Sequence, residues 1–255
     1  MTFRSDKFGD HIKGWKPDRL IPTVLDAVDR KYDYVFVATK VVPEVMTTEK
    51  ILAPLLNKSY TEKWGQPIYV LLQNGMGVEE GIYTATKAVE SEVGRGAAHD
   101  PRGSLHAPTR IVSACVYYMS NLIAPDIVQY VEDNMGLVVG IFRPGQYTTT
   151  HNSPEEAAIL DELKDILESG GTSTTIVPEI QRRKLEKNML NLAFATVATL
   201  SNLPVTSIFR PPPEPQGMQY QSYVYPTIAV GRALGFPDSE EGIPSNNATK
   251  FLELT

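Results

Sequence analysis

Two groups of residues in this sequence are spaced for chemistry. Lys187 and Asn191 stand four residues apart in "EIQRRKLEKNMLNLAFATVATLSNL". On a helix both project from one face, with Ala195 a further turn along. An ammonium beside a carboxamide can polarise a carbonyl and deliver a proton as that carbonyl is reduced, while the amide orients the substrate. Lys184 and Asn188 share the spacing, and the charged opening of the helix reads equally well as a solvated face with snorkelling lysines. The second group is Lys40, which closes the run "YDYVFVATK", with Gln73, Asn74, Gly75 and Gly77, which follow "PIYVLL". Ligands of a parallel sheet bind beyond the carboxyl ends of its strands, where backbone amides and helix N-termini converge. There Lys40 offers a cation to a phosphate and Asn74 a donor and an acceptor to a ribose or carboxamide. The plainer reading is a solvated strand end and a turn.

"NGMGVEEG" only half-fits a phosphate-binding GxGxxG loop, because the third glycine position is Glu80 and Gly81 falls one residue late. A carboxylate there repels phosphate. His11, His99, His106 and His151 show no HxH or HExxH spacing, so no metal site is expected, and no G-x-S-x-G elbow marks a hydrolase. Cys115, the one cysteine, sits in the apolar run "IVSACVYYM" and reads as a core residue.

These residues need a frame. The 255 residues, 42% hydrophobic and 21% charged, are enough for a sizeable core. A net charge of -6 without a Lys/Arg run argues against nucleic-acid binding, and no stretch is long and apolar enough for a membrane span. "YDYVFVATK" and "PIYVLLQN" read as strands covered on both faces, with one helix from "VVPEVMTTEKILAPLLNK" between them and another beginning near Val78. Residues 95–110 read as a loop. "RIVSACVYYMS", "DIVQYVED" and "GLVVGIF" read as three strands extending the same sheet, and "TSTTIVP" closes it. Ser153, Pro154, Glu155 and Glu156 open a helix, with Ser153 as its N-cap. After Pro178 a long helix, apolar on most sides in its later part, begins a mainly α-helical unit. "FRPPPEPQG" interrupts that unit, and "QYQSYVYPTIAVGRALGFP" resumes helical spacing around Pro226. The expected fold is α/β: a partial Rossmann-like parallel sheet domain over 1–178, then a mainly α-helical domain over 179–255.

"DYVFVATKVVPEV", "ILAPLLNK" and "PIYVLLQNGMGVEE" resemble the middle of the dinucleotide domain of ketopantoate reductases (2-dehydropantoate 2-reductases). "KNMLNLAFATVATLSN" is similar to that family's K-x-x-x-N-x-x-x-N helix. The resemblance covers about residues 30–205. It implies NADPH-dependent reduction of a 2-oxo acid to a 2-hydroxy acid in pantothenate biosynthesis. Lys187 would be the catalytic lysine, Asn191 the first substrate asparagine, and Lys40, Gln73, Asn74 and Gly75 cofactor contacts. A register placing Lys184 and Asn188 in those roles puts Leu192 at the third position. Ala195 replaces the second asparagine. The opening strand with GxGxxG has no counterpart, and the C-terminal substrate segment has no clear match in "SEEGIPSNNATKFLELT". The resemblance therefore implies an incomplete nucleotide domain with an open sheet edge through which a homodimer is expected; with no apolar leader run near Met1, the default setting is cytoplasmic.

Overall fold

The computed structural model describes residues 2–5, 9, 14, 16–94, 110–131, 136–202 and 228–246. The expected loop over 95–109, the proline-rich interruption, Pro226, three of the four histidines and the chain beyond 246 lie outside them.

Eight strands form in chain order: β1 (Thr2–Ser5), β2 (Tyr34–Val37), β3 (Ile68–Leu71), β4 (Ile111–Val116), β5 (Met119–Ala124), β6 (Ile127–Val131), β7 (Leu137–Ile141) and β8 (Thr174–Ile176). The main sheet has the order β2-β3-β4-β7-β8. All its neighbours are parallel except β4 and β7, which run antiparallel with Ala114 opposite Val139.

Both faces are covered, which explains why "IYVL" and "IVSACV" are apolar without alternation. Tyr69, Leu71 and Ile111 point to one face, where they meet Leu52 of α1 (Thr48–Leu52) and Ile82 of α3 (Glu80–Gly94). Val70, Val112 and Val139 point to the other, against Leu160 and Leu163 of α4 (Pro154–Ser169). Each of these leucines is buried, a contribution of about 1.5–3 kcal/mol apiece. Ser153 caps α4 in a complete capping box with Glu156, and Pro154 takes the first turn.

The long helix begins as α5 (Ile180–Leu190). It packs on the far part of the sheet, where Ile180 joins Cys115, Val138 and Val177. Gly140 of β7 permits this approach. A Cβ there would stand 2.6 Å from the Val177 carbonyl oxygen and 2.9 Å from Ile180 Cβ.

Several expectations need correction. The segment after β2 is two short helices, α1 and α2 (Lys58–Trp64), because Pro54 and the Asn57 cap end one and start the other. The helix after "GMG" starts two residues beyond Val78. Residues 110–131 and 136–141 contribute four strands, and only β4 and β7 join the main sheet; β6 pairs with β5 on one side and β1 on the other in a separate three-stranded sheet. The long helix is interrupted: Asn191–Ala195 make a π turn before α6 (Thr196–Ser201). The wider turn breaks the four-residue step, so Ala195 does not continue the Lys187–Asn191 line. α6 buries none of its residues against the described ones, and Leu200 is 81% exposed. Further along, residues 228–233 are helical, and Ile228, Phe236 and Ile243 pack on Leu185, Met189 and Phe194.

Candidate functional site

The loop after β3 and one face of α5 meet over the end of β4. Gly75 and Gly77 have φ of +101° and +74°, left-handed values that suit glycine and let the chain turn out of β3 within four residues. This turn puts Asn74 at the tip. From α5, Lys187 Nζ donates to Asn74 Oδ1 at 2.9 Å and to the carbonyl oxygen of Val116, and it lies 5.2 Å from the centroid of the Tyr117 ring. The two groups singled out for chemistry, 113 residues apart in sequence, are therefore in direct contact.

The Lys187 ammonium is partly buried, and its pKa is lowered from the ordinary 10.5. Burial is the main cause; Cys115 works against it and the Lys184 ammonium adds to it. A lysine placed this way gives up a proton more readily than one in water.

One turn back, Lys184 is buried and forms an ion pair with Glu79, which is fully buried. Ser113 of β4 donates to the same Glu79 oxygen at 2.5 Å. Sequence reasoning did not reach Glu79 or Ser113. Glu79 lies 105 residues from Lys184, and no local pattern links them.

Gln73, Asn74, Gly75, Cys115, Lys184, Lys187, Asn188 and Asn191 line one hollow. Both candidate lysine–asparagine registers therefore face the same place. Asn191 opens the π turn at its rim and is exposed. Gln73, expected at the cofactor, is buried, and its amide is engaged within the protein: Nε2 donates to the Thr39 carbonyl and to Thr39 Oγ1, each at 3.1 Å, and Oε1 accepts from Thr48 Oγ1 at 3.1 Å. Lys40 is exposed and does not line the hollow. Burial pushes the Cys115 thiol up to about 11, so it stays protonated as a core residue.

The hollow measures about 10 Å³, room for about one water. Small-molecule sites usually offer roughly 300–1,000 Å³. The right residue types converge, but not around a space that takes a ring and a substrate together.

A second hollow of about 520 Å³ runs along the side of β2 that no described strand pairs with, beyond the Gln73–Thr39 contact. Its walls are mostly apolar, with Tyr34, Phe36, Ile51 and Leu55 among them. Arg19 and Arg30 also line it, but Asp29 engages both, with Arg19 at 2.9 Å and Arg30 at 3.5 Å.

No family model matches the sequence, and no curated protein does. Solved structures match the fold. The 2-dehydropantoate 2-reductase from Geobacter metallireducens GS-15 aligns with a TM-score of 0.63 at 18% identity, over all of this chain and 68% of its own. The 2-dehydropantoate 2-reductase from Methylococcus capsulatus aligns with a TM-score of 0.62 at 17% identity, over all of this chain and 66% of its own. The dimeric ketopantoate reductase from Staphylococcus aureus aligns with a TM-score of 0.53 at 18% identity, over 90% of this chain and 67% of its own. The likeness is one of fold: the α/β architecture of ketopantoate reductases, of whose length this chain spans about two thirds. No helix among the described residues is long and apolar enough to cross a membrane.

Proposed function

We propose that the chain is a ketopantoate reductase-like oxidoreductase that reduces a 2-oxo acid to a 2-hydroxy acid with NADPH. The observation that carries this reading is the contact between Lys187 and Asn74 at the junction of the β3 tip and α5. NADPH would supply the hydride. Lys187 protonates the oxygen of the carbonyl being reduced, and its lowered pKa suits that task. Asn74 and Gly75 would hold the nicotinamide end, and Asn191 would orient the substrate from the rim. Lys187, not Lys184, is the donor in this reading, because the Lys184 ammonium is held by Glu79. A cytoplasmic setting, a boundary near Pro178 between residues 1–178 and 179–255, and a homodimer belong to the same proposal.

The fit to the cofactor is uneven. The nicotinamide end would have suitable donors and acceptors, but among the described residues no GxGxxG loop is present for the diphosphate, and Lys40, the expected phosphate cation, does not line the hollow. Arg19 and Arg30 are engaged by Asp29, and the hollow at Lys187 takes about one water. Those observations favour a second reading, a non-catalytic relative that keeps the fold as a binding or assembly module.

Titration of the chain with NADPH, followed by calorimetry, separates the two. The reductase reading expects saturable binding and turnover of a 2-oxo acid. Lys187→Met should then lower kcat/KM by about 10²–10⁴-fold and leave the NADPH Kd almost unchanged. The rate should fall on the alkaline side at a pH below 10.5, as the Lys187 ammonium deprotonates. A titration without saturation removes the reductase reading for this chain.

A further inference from the structure

The loop after β3 and helix α5 are joined by two rungs. On the outer rung Asn74 meets Lys187, and on the inner rung Glu79 meets Lys184. Asn74 and Glu79 belong to one turn, and the two lysines to one helix, three residues apart, so the rungs lie side by side. β4 supports both: Ser113 Oγ donates to the Glu79 carboxylate, and the Val116 carbonyl accepts from Lys187.

The rungs differ in burial. Asn74 is exposed, whereas the side chains of Lys184 and Glu79 are 3% and 0% exposed. Two ammonium groups pointed at one hollow repel each other, and the inner one has no water to screen it. A carboxylate on the inner rung removes that conflict.

We infer that Glu79 is a positioning residue, which holds the Lys184 ammonium, fixes the turn of α5 over the end of β4, and so presents the neighbouring Lys187 ammonium, still charged, to Asn74. The inference rests on the reading of Lys187 as the proton donor, but its structural content does not need turnover. Glu79 never touches the reacting atoms; its effect reaches them through Lys184. The groups facing Lys187 are Asn74 from the β3–α3 turn, Cys115, the Val116 carbonyl and Tyr117 from β4 and its end, and Lys184 from its own helix.

The test is a pH titration of Lys187 in the full chain by ¹³C NMR after reductive methylation of lysines, with the resonance assigned through Lys187→Arg. Glu79→Gln removes the compensating charge, so Lys187 should titrate lower than in wild type by about half a pH unit or more. Lys184→Met removes the like charge, so Lys187 should titrate higher by a similar amount. If Glu79→Gln alone does not fold, adding it to Lys184→Met supplies a second comparison: with no ammonium at 184 to hold, Lys187 should stay at the Lys184→Met value, and a further shift would mean that Glu79 acts on Lys187 directly and would overturn the inference. A packing role for Glu79 would move Lys187 the same way in both variants, or not at all. Either result overturns the inference. Because the readout is a titration, a chain that binds no NADPH and turns nothing over still decides it. Loss of the reductase reading and loss of this one are thereby kept apart.

Discussion

Glu179 stands at the N-cap of α5 with one carboxylate oxygen accepting from the Gln181 amide at 2.6 Å and the other buried without a hydrogen-bond partner. Burial pushes this carboxyl from 4.5 up to about 7, against the pull of the Gln181 amide and of Arg143. Its folded pKa therefore lies above the unfolded value. The associated stability is fully present below pH 4.5 and is lost as pH rises through about 7. Glu179→Gln keeps an acceptor for the cap and cannot ionise. At pH 8.5 the variant should be more stable than wild type by up to ~3 kcal/mol, since each tenfold change in proton affinity is worth ~1.4 kcal/mol, and at pH 4.5 the two should coincide. Thermal melts at both pH values check this. A variant that gains nothing at the higher pH would mean that the free oxygen finds a partner in solution.

At the scale of elements, a single guanidinium gathers three segments. Arg143, just past β7, pairs with Glu156 at 2.6 and 2.8 Å, reaches Asn152 at 2.8 Å and donates to the Pro178 carbonyl ahead of α5. It thereby links the sheet, the capped start of α4 and the helix that carries Lys187. For Glu156, burial acts upward but is outweighed by the hydrogen bonds from Arg143 and the Ser153 amide, so its pKa is lowered from 4.5. That contribution is present above pH 4.5 and is lost as pH falls through the lower folded value. Arg143→Met leaves a buried carboxylate alone and should cost about 3–5 kcal/mol in urea unfolding at neutral pH. Arg143→Met with Glu156→Gln should recover most of the loss; if it does not, the link to Pro178 matters more than the ion pair. The sequence showed the start of α4 clearly, because Ser153, Pro154 and Glu156 signal it within four residues. It also marked β2 and β3 by their unbroken apolar runs, and Lys187 and Asn74 by their residue types. It could not show that Glu79 pairs with Lys184, that β5 and β6 leave the main sheet, or that the helix widens at Asn191. Each of those depends on partners far along the chain or on packing that local propensity does not encode.

For the molecule as a whole, the feature that matters is that β2 is the last strand of the main sheet among the described residues. Asp33 and Val37 offer their carbonyls to the amides of Ile68 and Leu72, so odd-numbered residues of β2 face β3. Parallel ladders alternate, and the N–H and C=O groups of Tyr34, Phe36 and Ala38 therefore point to the open side. A parallel sheet is ordinarily covered, and an apolar strand left at its edge is a template for pairing with another strand. Here Phe36 is 43% exposed, beside the 520 Å³ hollow. The segment from Arg19 to Arg30 walls this hollow without hydrogen-bonding to the strand. The expected consequence is self-association through β2. Sedimentation velocity at tens of micromolar should show a dimer or larger species. Phe36→Lys, which puts a charge on the edge without touching the β2–β3 ladder, should weaken association by about tenfold or more, ~1.4 kcal/mol. Its melting temperature should stay near that of wild type, since the side chain is already half in water. A wild-type chain that sediments as a monomer, or a variant that associates equally well, would show that the Arg19–Arg30 segment is cover enough for the edge. The main sheet would then end at β2 in solution, and the hollow beside it would be free for a ligand.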